Sequence, residues 1–323
     1  MKILYRRYSG SVGVTDRERG TRGGWIEKRL ALMARLKAHG HEILMASKPS
    51  QASKGCWEVV PAGSKADLLM IEWSMTNWVF VREDIAETAR YIQRHKGPIV
   101  FLCDDPEMLG GCFDPRTISL FAQKTYRRWT LWLNTPYSTS HLSKHLRFPR
   151  DARVVDAPFA SLLATNLKPR TQYLPKLIYS GRGTGGREAR LVELSRSTPI
   201  QLFGRIKEWA KLTPTADAPP QVDRHKLYAQ YTGCLALADR QHKMTGWRTG
   251  RAYHALRAGI PTLVESDHEV LAQSFSVFHT PQEVDHLRRT WQDPKVRQAA
   301  WKKQVTKNFN PSSFNGALES VDL

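Results

Sequence analysis

The chain has 323 residues, 41% of them hydrophobic and 24% charged, and a formal net charge of +19. That length exceeds one ordinary core and suits two domains of about 150 residues each, and the composition excludes a disordered or low-complexity chain. No apolar run approaches the roughly 20 residues of a membrane span, and the cationic excess favours a polyanionic partner, nucleic acid first, over a membrane surface or a purely solubilising one.

From the N-terminus, MKILYRRYSG enters a strand-like run at once and shows no signal-peptide pattern. Short apolar runs predict strands at Ile3–Tyr5, Glu42–Ala46, Leu68–Glu72, Ile99–Cys103 and Leu131–Asn134, then at Lys176–Gly181, Ile200–Gly204, Cys234–Ala238 and Thr262–Glu265. Helical spacing separates them. Ile26, Leu30, Met33 and Leu36 mark one apolar face, and Gly40 follows as a stop. Strands alternating with helices imply an α/β chain of parallel sheets. The series ends near Ala157–Pro158 and restarts at Lys176, after a polar stretch from Asn166 to Gln172 that reads as a linker. The expected architecture is two Rossmann-like domains facing a central cleft. Residues 1–160 form the first domain and residues 170–305 the second. Residues 306–323 pack back on the first. Ligands of such sheets bind beyond the carboxyl ends of the strands. Cys56, Cys103, Cys112 and Cys234 form no C-x-x-C pair and no zinc spacing, which suits a reducing cytoplasm.

The segment KLIYSGRGTGGRE, from Lys176 to Glu188, runs from strand through glycines into a helix. Glycines admit a phosphate close to the backbone, and a helix N-terminus attracts it. Arg182 and Arg187 supply charged donors beside Gly181 and Gly183. A merely flexible turn is the competing reading, since neither a Walker A loop nor a clean dinucleotide fingerprint is present. Phe203–Gly204 ends the next strand, where a base could rest, although Phe203 also suits a core. Arg251 and His254 lie three apart on a helix and could meet a diphosphate and a ribose. His254 alone is equally a satisfied surface histidine.

Asp104 and Asp105 follow the strand Ile99–Cys103. Such carboxylates could deprotonate an acceptor hydroxyl, bind a divalent metal (Mg or Mn) with the donor diphosphate, or cap a helix. After the third strand come Asn77 and Trp78, which could wedge into a base stack or pack in the core. Lys124, Arg127, Arg128, Lys144, Arg147, Arg150 and Arg153 form a basic stretch, joined by Arg17, Arg19 and Arg22. It suits phosphate tracking or an ordinary solvated face.

KLIYSGRGTGGREARLVEL, IQLFGR, WRTGRAYHALRAGIPTLVESDHE, VFHTPQEVDHLRR, FLCDD, SMTNW and the final ALESVDL together resemble, in order and at similar spacing, the DNA β-glucosyltransferases of T-even phages. The resemblance implies a GT-B fold and inverting transfer of glucose from UDP-glucose to a 5-hydroxymethylated pyrimidine of double-stranded DNA, by a monomer. It assigns the base role to Asp104, donor phosphates to Arg187 and Arg251 with Arg182 as a shifted substitute, base contact to Phe203 and Gly204, and the wedge to Asn77 and Trp78. The glutamate that holds the donor ribose in the family falls on His254, the phosphate loop is one residue shorter, and Glu27 is the candidate for a further acid. These departures leave open a pentose donor or another nucleoside diphosphate. A GT-B enzyme with a non-DNA acceptor and a non-catalytic DNA-binding module are the alternatives.

Overall fold

The computed structural model describes residues 1–6, 24–46, 59–60, 64–72, 88–103, 129–145, 152–163, 167–216 and 221–321. The chain divides into two compact units, Met1–Phe159 with Ser312–Leu323, and Ala160–Pro311.

The first unit is built on a seven-stranded sheet: β1 (Lys2–Arg6), β2 (Glu42–Ala46), β3 (Val59–Val60), β4 (Leu68–Glu72), β5 (Ile99–Cys103), β6 (Trp129–Leu133) and β7 (Arg153–Asp156). The order is β3-β2-β1-β4-β5-β6-β7 and every pairing is parallel. The central strands β4 and β5 are buried along their whole length, as near-continuous apolar runs require. Helix α1 (Gly24–Ala38) connects β1 to β2. Its buried face differs from the expected one. Arg29, Leu32, Met33 and Leu36 point inward, while Leu30 is 50% exposed, because it sits about 100° round the helix from Arg29. The inward arginine is balanced: Nη2 of Arg29 donates to Glu72 at 2.6 Å, its Nε donates to the same carboxylate, and the Tyr5 hydroxyl donates to Glu72 at 2.6 Å. A short helix, α2 (Thr139–Leu142), follows β6.

The second unit carries β8 (Leu174–Ser180), α3 (Arg187–Ser195), β9 (Ile200–Phe203), α4 (Gln221–Tyr228), β10 (Tyr231–Leu235), α5 (Arg240–Thr245), α6 (Gly250–Arg257), β11 (Thr262–Glu265), α7 (Glu269–Ala272), β12 (Ser276–Phe278), α8 (Pro281–Thr290) and α9 (Pro294–Asn308). Its five strands are all parallel in the order β12-β11-β10-β8-β9. After β9 the chain crosses to the other side of β8, so the order reverses between β8 and β10. That reversal opens a crevice at the carboxyl ends of those two strands.

The polar stretch read as a linker is strapped to this unit over residues 167–172. The Arg170 amide donates to Gly259 O at 3.0 Å, and the buried Arg297 donates through Nη2 to Arg170 O at 2.7 Å. Beyond α9 the chain returns to the first unit with α10 (Asn315–Glu319). There the Trp132 indole donates to Ser320 Oγ at 3.0 Å, and Phe314 packs edge-on against Trp132 at 5.6 Å. Among the described residues no helix is long and apolar enough to cross a membrane.

Candidate nucleotide-diphosphate site

The crevice at the switch point of the second sheet is lined by the segment that follows β8. Gly185 and Gly186 have φ of 68° and 82°, a left-handed turn that L side chains rarely adopt, and Gly186 caps α3 without a side-chain bond. At Gly181 the constraint is space. A Cβ there would lie 2.2 Å from Nη2 of Arg251. The turn thus starts a helix whose first residue is Arg187.

Arg251, on the second position of α6, spans the switch point. Its Nε donates to Ser180 O at 2.6 Å and its Nη1 to Leu237 O at 2.7 Å, joining the carboxyl ends of β8 and β10. The guanidinium lies 4.5 Å from the Tyr179 ring centroid, a cation–π contact. Burial by itself would favour loss of its proton, but Tyr179, Tyr228, Cys234 and Asp239 outweigh that and hold the group charged. Nη2, the remaining nitrogen, faces Gly181.

Arg187 approaches from α3. Its Nη2 donates to Asp239 Oδ2, and its buried Nε has no hydrogen-bond partner among the described residues. Among the described residues the Ser180 hydroxyl, also buried, has none either. A buried donor without a partner costs about 1–3 kcal/mol, so these two atoms have hydrogen-bonding capacity to offer beside the glycine turn. Asp239 is partly buried, which opposes its ionisation. Hydrogen bonds from the His242 ring and backbone, together with the Arg187 charge, overcome this and leave the carboxyl well below the usual range.

A second anchor fixes the wall of the site. Glu188 Oε1 accepts the backbone N–H groups of Ala210 at 2.8 Å, Lys211, and Leu212 at 2.9 Å. Those bonds, the Lys211 one first, hold its carboxyl below the ordinary value. They fasten the loop after β9 to the first turn of α3. Trp209 from that loop packs edge-on against Tyr179 at 6.0 Å.

Of the residues expected here, Gly181, Gly183, Arg187 and Arg251 come together. The Arg182 side chain, between Gly181 and Gly183, is 56% exposed and its Nε lies 3.7 Å from Glu208. The Phe203 ring is buried in a core cluster with Ile178, Tyr228 and Tyr231. The ring therefore packs in that core. His254 is buried on α6, with its Nε2 3.8 Å from the position a Cβ on Gly250 would occupy. Burial pushes the Cys234 thiol up to about 12, so it is no nucleophile.

In the first unit, Lys144 is exposed just after α2, and Arg153 is exposed at the start of β7. Glu27 lies on α1, but its side chain is outside the described residues, as are Asp104, Asp105, Asn77, Trp78, Lys124, Arg127, Arg128, Arg147 and Arg150. Among the described residues no three His, Cys, Asp or Glu side chains cluster as metal ligands. The sequence reading missed Ser180, Glu188, Asp239 and His242. Asp239 carried a usable signal: like Asp104, it is an acid directly after an apolar run.

No family model matches this chain, and no curated protein matches it. Solved structures do. A DNA-modifying β-glucosyltransferase, determined with and without uridine diphosphoglucose, superposes with a TM-score of 0.72 at 14% identity over 100% of both chains. The T4 phage enzyme in complex with UDP and Mn2+ gives 0.73, also at 14% identity and 100% of both chains. HepE from Anabaena in complex with UDP-glucose gives 0.50 at 12% identity over 99% of both chains. The likeness runs through both parallel-sheet units, and the chain has the GT-B fold.

Proposed function

We propose that this protein is a glycosyltransferase that moves a glucosyl group from UDP-glucose to the hydroxyl of a 5-hydroxymethylated pyrimidine in double-stranded DNA. The observation that carries the reading is the set of unsatisfied donors at the switch point of the second sheet: the buried Arg187 Nε and Ser180 Oγ, beside a glycine turn and the Arg251 guanidinium. Neutral pockets have no use for such a set, whereas a diphosphate matches it with oxygens. The ligands bound in the structurally similar proteins, UDP-glucose and UDP, have that chemistry. The DNA acceptor is supported by the charge of +19 and by the likeness to a DNA-modifying enzyme.

In the reaction, the hydroxymethyl oxygen attacks the anomeric carbon and the bond to the diphosphate oxygen breaks. The acceptor proton passes to the carboxylate assigned as base, Asp104. Negative charge grows on the departing diphosphate, where Arg187 and Arg251 stabilise it. Attack opposite the leaving group inverts the anomeric centre. The protein acts as a monomer in the cytoplasm, and a divalent cation, where bound, would supply further positive charge to the leaving group.

The test is UDP release from UDP-glucose with three acceptors: none, unmodified duplex, and duplex carrying 5-hydroxymethylcytosine. Release that depends on the hydroxymethylated duplex supports the proposal. Equal release with all three removes DNA from the reaction, and no release with any leaves a binding module.

A further inference from the structure

The Asp239 carboxylate is shared between two basic side chains. Oδ2 accepts from Arg187 Nη2. Oδ1 accepts the His242 backbone N–H at 2.8 Å and lies 2.7 Å from the His242 ring Nδ1. A carboxylate accepts only, so Nδ1 carries the ring's hydrogen and Nε2 is where a second proton adds. The triad abuts the glycine turn: a Cβ on Gly185 would sit 2.8 Å from Asp239 Cβ. The side chains of Arg187, Asp239 and His242 are 11%, 16% and 15% exposed, so water screens the coupling only in part.

With a neutral imidazole, Asp239 cancels the charge of Arg187, and the triad presents no net charge to an anion. With an imidazolium, the carboxylate is divided between two cations, and the triad is net positive. We propose that His242 is a positioning residue that acts through Asp239 to set how much of the Arg187 charge a donor diphosphate meets, so that donor binding takes up a proton at His242. This rests on reading the strand-end site as a nucleotide-diphosphate site.

The charges around His242 leave that role to it. On α5 the other cations are Arg240, which is exposed, and Lys243, which is matched by Glu265 and Asp267, each at 2.9 Å. From α3, Arg187 reaches it through Asp239, and Arg190 is occupied by Glu193 at 2.5 Å and Glu265 at 3.4 Å. After β11, His268 lies close enough to feel both His242 and Lys243, and burial lowers it to about 4, so it stays neutral where imidazoles ordinarily titrate.

The test is calorimetric titration of the full chain with UDP-glucose, whose diphosphate diester does not titrate near neutrality, from about pH 8 to about pH 5.5. Affinity is expected to rise on the order of tenfold as pH falls, the change that one unit of coupling to a proton produces. Repeating the titration in buffers of different ionisation heat should show net proton uptake on binding. His242→Asn, whose side-chain N–H can still meet Asp239 but does not titrate, should bind with a flat profile near the wild-type value at high pH. A merely structural histidine would shift affinity equally at every pH. A flat wild-type profile, or a slope that survives in His242→Asn, overturns the inference and leaves the donor site standing. If the wild type binds no UDP-glucose at any pH, the donor-site reading falls and takes the inference with it.

Discussion

Arg187 and Arg251 face the same strand ends but are held differently. Among the described residues Arg187 is anchored by Asp239, with Nε left over. Arg187→Ala should therefore weaken UDP-glucose binding by about 1.5–3 kcal/mol, the worth of hydrogen bonds to a charged group, and lower Tm, because the largely buried Asp239 carboxylate loses its ion-pair partner. Arg251 ties two strand ends through main-chain carbonyls. Arg251→Ala should lose the same order of affinity and lower Tm as well, because Ser180 O and Leu237 O lose their donors. Calorimetry and thermal unfolding of the two variants check this. His268 makes a separate prediction. It is buried and neutral, its Nε2 lies 3.0 Å from Trp247 O, and its Nδ1 accepts the Leu271 N–H. Its lowered value, about 4, means that the unfolded chain binds the proton first as pH falls. The stability contribution is complete above about pH 6.5 and is lost progressively toward pH 4, up to about 3 kcal/mol. Denaturant unfolding of His268→Gln should show a shallower acid dependence than the wild type over that window.

At the scale of elements, the glycine turn and the Glu188 anchor act together. Gly186→Ala forces a Cβ into a φ of 82° and should cost about 1–2 kcal/mol of stability. Glu188→Gln leaves a weaker acceptor for the three amides at 210–212, so those amides should exchange faster with solvent while the β8 amides do not. Elements also show what sequence can reveal. The inner strands were legible because burial on both faces demands apolar runs. The three strands that pattern reading missed, β3, β7 and β12, are all sheet edges. They are short, and β7 reads Arg-Val-Val-Asp, with charges at both ends, so no run betrays them. At β10 the reading lay three residues late, because the apolar run continues past the strand through the buried Ala236, Leu237 and Ala238. The glycine turn and its arginines were legible because they are adjacent in sequence. The coupling of Asp239 to Arg187 was not, because 52 residues separate the partners and no local pattern links them.

At the scale of the whole molecule, the charge of +19 makes its own demand on the DNA reading. Binding to duplex should release counterions, and affinity should fall steeply with salt and little with sequence. Neutralising Arg127, Arg128 and Arg147 together should flatten the log–log salt slope by roughly 0.9 for each phosphate that is no longer neutralised. Fluorescence anisotropy across a salt series reads this directly, and an unchanged slope would move the DNA surface elsewhere. The measurement that bears most directly on the central claim is mass spectrometry of nucleosides. Duplex DNA carrying 5-hydroxymethylcytosine is incubated with the protein and UDP-glucose, digested and analysed. The account predicts that the hydroxymethylated nucleoside gains one hexose, and that Asp104→Ala abolishes the gain while still binding donor. Hydroxymethylated nucleosides left unchanged by a wild-type protein that binds UDP-glucose would contradict it.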